Sequence, residues 1–301
     1  MSLFETLSGL AVRRLSPERL GVLRRGYLGL RQGVMPLIRA VNGTFDAKEI
    51  HAHLDRTVGR DFEVLMVHCS VNHLQPAYIE GPQDLLKMLL EYCGPTRTLA
   101  MPAFYFGDSR QGGVNLEFAA QPRVNLRRLP SQMGMLSELF RRSKGVLASR
   151  HPVMRICATG PLAHELVKGH ECALLPHGIG SPFDFMARHD TLILGIGKPF
   201  EVLTHVHHAE DLLGAEFPVP ARAVPPLDMV LVDGAEDVPF VLRARELCWR
   251  RDMWRLRALM TPHTLREWKF HGVPLFATRA RDVTASLVAA AREGRTLYVR
   301  P

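Results

Sequence analysis

Three short runs of this 301-residue chain contain almost nothing polar: Glu63–Val67 (EVLMV), Thr98–Pro102 (TLAMP) and Thr191–Ile196 (TLILGI). A strand with one face in water alternates apolar and polar residues, whereas a strand without alternation is covered on both faces. The stretches between the runs read as helices: Phe45–Thr57, Pro82–Cys93 with Gly94 where a C′ glycine belongs, Ser131–Arg142 and residues 282–293. Residues 228–242 give two extended pieces around Asp233-Gly234, a hairpin-like turn. Apolar strands separated by helices predict an α/β layered fold with both sheet faces covered.

Composition narrows the class further. The chain is 47% hydrophobic and 23% charged, as a globular protein is. No apolar run reaches the ~18 residues a membrane span requires. Arg13-Arg14 and Arg24-Arg25 break up the N-terminal stretch where a signal peptide needs an uninterrupted apolar run. The five cysteines (69, 93, 157, 172 and 248) are odd in number and form no CxxC pair. That pattern argues against a disulfide framework or a cysteine zinc site and predicts a cytoplasmic location. Net charge is +8, and residues 1–40 hold seven Arg and two Glu. The body is thus mildly basic, which suits an anionic ligand better than a polycation. No nucleic-acid motif is present, so no nucleic-acid partner is expected.

Residues 1–42 read as a basic amphipathic helical extension, with Leu20, Leu23, Tyr27, Leu30 and Val34 recurring at three or four and Asn42-Gly43 ending it. Either this extension packs on the domain or forms a homodimer contact, or it lies against a membrane surface as a peripheral contact. Residues 43–301 read as one domain.

The densest polar cluster is Thr204-His205-Val206-His207-His208-Ala209-Glu210. Thr204 is the expected helix N-cap, with the helix running to about Leu213 and Gly214 beyond it. His207 then lies in the first turn, and Glu210 stands three residues on along the same face. The carboxylate would orient the imidazole, and the helix N-terminus would keep it neutral, as a general base near pH 7 requires. A solvated or capping histidine cluster is the simpler reading. A zinc site from His205, His207 and Glu210 is the third, weakened because an i, i+2 pair faces different sides of a helix. The second cluster, His68-Cys69-Ser70, follows the first strand, where ligands bind in such sheets, and Cys69 invites a nucleophile reading. Glu80-Gly81-Pro82 turns into a helix whose donors could meet an anion. Ser149-Arg150-His151-Pro152 sets His151 on extended backbone before proline.

In order and spacing, these pieces resemble the aminoglycoside 3-N-acetyltransferase family. The carriers are Val67-His68-Cys69-Ser70, Gly81, Met101-Pro102-Ala103-Phe104 and Met133-Gly134. They continue with Ala148-Ser149-Arg150-His151-Pro152, Gly160-Pro161 with Ala163, Gly180-Ser181-Pro182-Phe183, and Thr204, His207 and Glu210. The resemblance spans roughly residues 45–295. It implies a layered α/β/α fold with a central mixed sheet. It also implies an enzyme that moves acetyl from acetyl-CoA to the amino group of a small molecule by direct attack, without a metal. In that scheme His207 is the general base and Glu210 orients the site. His68, Cys69, Ser70, Gly81, Phe104, Ser149, Arg150 and His151 fall in segments that contact coenzyme A or flank its thioester. Thr204, Asp233 and Asp252 are the candidates for holding the acceptor.

The departures from the pattern bear on the acceptor. Ala148 replaces an arginine, with Arg150 close enough to supply the charge instead. Cys69 replaces the first serine of the strand-end motif, Ala103 a threonine, and Arg155 a serine. With the basic balance, these favour an amine on a neutral or anionic molecule, such as an amino sugar or a nucleotide-linked sugar. An aminoglycoside antibiotic is the alternative acceptor, and a catalytically silent coenzyme A-binding relative is the alternative to an enzyme.

Overall fold

The computed structural model describes residues 35–108 and 113–300. Most of the expected N-terminal extension therefore lies outside the described residues. Its last part, 35–42, is helical, and Gly43 ends it with φ at +75° and its N–H donated to the Arg39 carbonyl (2.8 Å).

Fourteen strands run in chain order: β1 Val64–Cys69, β2 Thr98–Pro102, β3 Arg123–Asn125, β4 Leu147–Ala148, β5 Ile156–Thr159, β6 Thr191–Ile196, β7 Ala221–Ala223, β8 Leu227–Asp233, β9 Glu236–Leu242, β10 Arg245–Leu247, β11 Arg250–Arg251, β12 Leu265–Phe270, β13 Val273–Arg279 and β14 Tyr298–Val299, all among the described residues. The helices that build the layers are α1 Ala47–Thr57, α2 Pro82–Cys93, α3 Val114–Ala120, α4 Met135–Arg142, α5 Ala163–Val167, α6 Pro182–Arg188, α7 Val206–Leu213 and α8 Ala280–Arg292.

The main sheet has the order β12-β13-β6-β1-β2-β5-β4. Its centre is parallel, with β1 between β6 and β2, and antiparallel strands extend both edges. The three apolar runs of the sequence are these three central strands. Period-two alternation splits each of them between two cores. Val64, Met66 and Ile193 pack on one face with Phe183 of α6, Val206 and Ala209 of α7, and Val283 and Leu287 of α8. Leu65, Val67, Leu192 and Leu194 pack on the other with Ile50 and Leu54 of α1, Leu85 and Leu89 of α2, and Leu136 and Phe140 of α4. The result is the layered α/β/α architecture with a mixed sheet. Gly195 of β6 is required by packing: it pairs with Phe276 of β13, and an added Cβ would lie 2.0 Å from that ring.

A second sheet, β3-β8-β9, carries its own core of Phe118, Val124, Met229, Leu231 and Phe240. The β8–β9 hairpin turns at Gly234 (φ +67°), at the expected Asp233-Gly234 pair. The helix expected over Ser131–Arg142 begins only at Met135. Ser131 instead receives the Met133 N–H on its Oγ (3.2 Å), and Gly134 caps the helix with φ at +107°, a non-helical value. Strands β12 and β13 were not foreseen; β12, at the edge of the sheet, carries the charged Arg266, Glu267 and Lys269, which blunt an open edge. Among the described residues no helix is long and apolar enough to cross a membrane.

An unusual number of histidines lie inside this fold. Burial pulls His68 down to about 4 and His170 to about 3, and holds His151 and His205 well below the ordinary histidine value. Their folded pKa values are depressed, so the unfolded chain takes up protons first as the pH falls. The stability they contribute is complete above about pH 6.5 and is lost on the way down to about 4; for His68 alone this is about 3 kcal/mol. The melting temperature should therefore be flat from pH 8 to 7 and fall steeply between 6.5 and 4.5, before most carboxylates titrate. A melting temperature that holds level to pH 4.5 would contradict this burial.

Candidate active site

Helix α7 starts just past the C-terminal end of β6 and sets His207 at the mouth of a cleft of about 470 Å³ lined by Glu210, Glu246, Trp249, Arg251 and Met154 among others. The helix packs against α8 through Val206 and Ala209, which fixes its rotation and turns half-buried His207 and buried Glu210 together toward the cleft. His207 Nδ1 lies 2.7 Å from Glu210 Oε2. The other carboxylate oxygen, Oε1, accepts the Tyr298 hydroxyl at 2.9 Å. With Nδ1–H donated to a carboxylate, the lone pair of the ring sits on Nε2. Arg251 Nη1 touches that Nε2 and is also 3.3 Å from Nδ1, so the guanidinium lies over the ring and not in line with the Nε2 lone pair.

Two distant segments make this arrangement. β11 and β14 pair antiparallel, with Arg251 directly opposite Tyr298. Residues opposite each other in such a pair project to the same face. One side chain therefore reaches Nε2 of the histidine and the other reaches the far oxygen of the glutamate. Arg245 of β10 secures the helix from its other end by donating to the carbonyls of Glu210 (3.0 Å) and Gly214 (2.7 Å), which also accept the Gly214 and Phe217 amides.

A second carboxylate–imidazole pair lies behind the first. Both the backbone N–H and Nδ1–H of His177 donate to Asp211 Oδ2, each at 3.1 Å, and the His177 ring lies 5.0 Å from that of His207. Burial pulls the His177 pKa down against the pull of Asp211. For Asp211, burial acts upward, but its bonds from His177 win and the carboxyl is held low. His208 Nδ1 donates to the His177 carbonyl (2.6 Å), locking the two segments together.

The structure revises several expected roles. The N-cap of α7 is His205, not Thr204; the Thr204 hydroxyl donates backward to the Val202 carbonyl (3.3 Å) instead of receiving a helix amide. His205 turns away from His207: its Nε2 meets Thr284 Oγ1 (3.1 Å), so it does not join His207 and Glu210 in a metal-ligand set. Asp233 lies in the β8–β9 sheet and pairs with Arg150 (3.0 Å) and Arg127 (3.3 Å), outside the His207 cleft. Asp252 caps the turn at Met253–Arg255 by accepting the Trp254 N–H. Neither lines the His207 cleft, and Asp233 instead borders a separate cavity of about 530 Å³ with Arg127, Arg141 and Ser149.

The residues expected to contact coenzyme A divide in the same way. Cys69 is buried on the side of the sheet away from α7, and burial pushes its thiol up to about 12, so it is no nucleophile. His68, one residue earlier, is buried on the α7 side near His205. Phe104 is core, against Phe183. The Gly81 N–H is taken by Asp84 Oδ2 (3.1 Å) and is not free for an anion. Ser149 accepts the Ile156 N–H and bonds His170 Nδ1 (2.8 Å) in the interior. His151 accepts the Val153 and Met154 amides on Nδ1. Arg150 is engaged by Asp233 and Glu236 on the hairpin, so its charge does not stand in for the arginine missing at Ala148. Arg155 is buried and donates to the carbonyls of Leu126 and Leu129 (2.8 Å for the latter), tying β5 to the loop after β3. Ser70 stays half-exposed at the end of β1, beside β6. Sequence reasoning missed Arg251, Tyr298, His177 and Asp211. Asp211 adjoins Glu210 and His177 precedes the Gly180-Ser181-Pro182 turn, but nothing local marks Arg251 or Tyr298.

A profile of the family Aminoglycoside 3-N-acetyltransferase matches residues 66–291. The chain is 29% identical over 163 residues to aminoglycoside N(3)-acetyltransferase IX of Micromonospora chalcea, covering 51% of this chain and 57% of that one. It is 29% identical over 201 residues to aminoglycoside N(3)-acetyltransferase VII of Streptomyces paromomycinus, covering 64% of each. The matched stretch thus spans somewhat under two thirds of these relatives. The fold matches the crystal structure of aminoglycoside acetyltransferase AAC(3)-Xa with a TM-score of 0.71 and 21% identity, over 88% of this chain and 99% of that one. It also matches AAC-IIIb in its binary complex with CoASH, with a TM-score of 0.65 and 20% identity, over 85% and 100%.

The thiols give a direct check on the placement of Cys69. In native protein, Ellman's reagent should titrate Cys172 and Cys248, which are exposed, and leave Cys69, Cys93 and Cys157 untouched until denaturant is added. Rapid labelling of Cys69 in the native state would return it to the list of nucleophiles.

Proposed function

We propose, because the chain belongs to the aminoglycoside 3-N-acetyltransferase family, that it transfers an acetyl group from acetyl-CoA to a primary amine of a small molecule, with His207 as general base. The observation that carries this reading is the Tyr298–Glu210–His207 chain of hydrogen bonds at the cleft; with the proton on Nδ1 beside Glu210, Nε2 is the atom left to act as base. Acetyl-CoA supplies the acyl group as a thioester. The amine nitrogen bonds to the carbonyl carbon, its proton passes to Nε2, and the carbon–sulfur bond breaks. The proton then leaves with the thiolate as coenzyme A. As Nε2 takes up the proton, the new imidazolium charge sits 2.7 Å from the Glu210 carboxylate, which stabilises it. Tyr298 holds that carboxylate in place, and burial keeps the Tyr298 hydroxyl protonated as a donor. With Cys69 buried, direct transfer without an acyl-enzyme is the route these residues support.

For the coenzyme, the residues that fit lie just beyond the C-terminal ends of the adjacent strands β1 and β6, where Ser70 and Lys198 are half-buried. Gly134 opens α4 beside the Cys69 backbone, where an added Cβ would be in ordinary contact, 3.9 Å from its carbonyl oxygen. The N-terminal amides of this eight-residue helix thus lie near the same ledge, suited to polar groups of a pantetheine chain. We place the enzyme in the cytoplasm, with residues 43–301 as its transferase domain and residues 1–42 as a membrane-surface or self-association element.

The test is a pair of variants. His207→Ala should lower kcat by at least ~10²-fold while calorimetric coenzyme A affinity stays within about twofold. Glu210→Gln should lower kcat by at least ~10-fold with the same affinity retained. An unchanged rate in His207→Ala would remove it from the mechanism. Coenzyme A binding without turnover on any amine, in the unaltered enzyme, would favour the silent relative.

A further inference from the structure

The guanidinium of Arg251 lies against the ring of the proposed base. Its Nη1 touches Nε2 and is also 3.3 Å from Nδ1, so it sits over the ring and beside the in-plane approach of an acceptor amine to Nε2. The charges around the cleft indicate what this guanidinium is free to bind. Glu210 has both oxygens engaged, by His207 and by Tyr298. Asp211 is held by His177. Arg245 is spent on two carbonyls, and Glu246 sits at the rim, 3.7 Å from Arg222. Arg251 is different: it lies against the His207 ring, its side chain is exposed, and among the described residues no carboxylate pairs with it.

We propose that Arg251 is the acceptor-selecting residue, and that the acceptor carries an oxyanion, a phosphate or a carboxylate, near its amine. The oxyanion takes the guanidinium in a charge-assisted, two-toothed contact, which a neutral imidazole cannot match. The contact holds the acceptor with its amine beside Nε2. A neutral amine lacks that contact, and a polycation meets repulsion from Arg251, with the rim carboxylate Glu246 already beside Arg222. This inference rests on the acetyl-transfer reading and specifies its substrate class.

The experiment compares glucosamine, glucosamine 6-phosphate, glucosaminuronic acid and kanamycin as acceptors with acetyl-CoA, in the unaltered enzyme and in Arg251→Ala and Arg251→Lys. The unaltered enzyme should favour the two oxyanion-bearing sugars over glucosamine by at least ~10-fold in kcat/KM, with kanamycin poorer still. Arg251→Ala should collapse that preference to within about threefold, and Arg251→Lys should retain part of it. The phosphate and carboxylate arms show which oxyanion is preferred. No preference in the unaltered enzyme, or a preference that survives Arg251→Ala, overturns the assignment. If no amine is acetylated, the transferase reading fails by itself. Calorimetric binding of glucosamine 6-phosphate then decides the role of Arg251: weakening by at least ~10-fold in Arg251→Ala upholds it, and equal affinity overturns it.

Discussion

A sheet covered on both faces has only its strand ends for chemistry. In this protein the central strands β6, β1 and β2 bury every residue, and their alternating side chains feed two separate cores. Backbone polar groups within the layers are consumed by the ladder, so open cavities and free polar groups collect where strands give way to helices. Helix α7 begins at such a place. Its inner face is committed to the core by Val206 and Ala209, and that commitment aims His207 and Glu210 at the cleft, with Glu210 itself buried.

The dyad is then completed from outside its own helix. Tyr298 and Arg251 face each other across a two-stranded ladder and grip opposite ends of the His207–Glu210 pair. The ladder settles two things at once. Through Tyr298 it fixes the carboxylate that sets the tautomer, and through Arg251 it governs which acceptors reach the base. The buried histidines nearby contribute differently. His68, His205 and His177 are pushed toward the neutral form mainly by desolvation, so no second imidazolium lies next to His207 at neutral pH.

Much of the frame was legible from residues alone, because it rests on local pattern. The runs at Thr98–Pro102 and Thr191–Ile196 are the strands as predicted, and Pro82–Cys93 is the helix that its proline start and glycine stop announce. The His207–Glu210 pair was legible for the same reason: three residues apart in a helix means one face, whichever residue caps it. The failures are matters of long-range partnership. Thr204 has the right chemistry for a cap, but the chain turns one residue later. Asp233 and Arg150 looked like site residues until folding paired them with each other. Arg155, a departure in sequence, is a structural tie whose partners are carbonyls near Leu126 and Leu129. Arg251 and Tyr298 gain their meaning only from a ladder joining segments 47 residues apart, which no periodicity reports.

The account stands on one proton, the one assigned to Nδ1 of His207. Nitrogen-15 NMR of histidine-labelled protein at pH 7.5, with His207→Gln to assign the resonance, reads its position directly. The proposed mechanism requires Nδ1 to be protonated beside Glu210 and Nε2 to be bare of hydrogen. A His207 ring protonated on Nε2 alone at that pH would leave no lone pair facing the cleft and would contradict the mechanism at its first step.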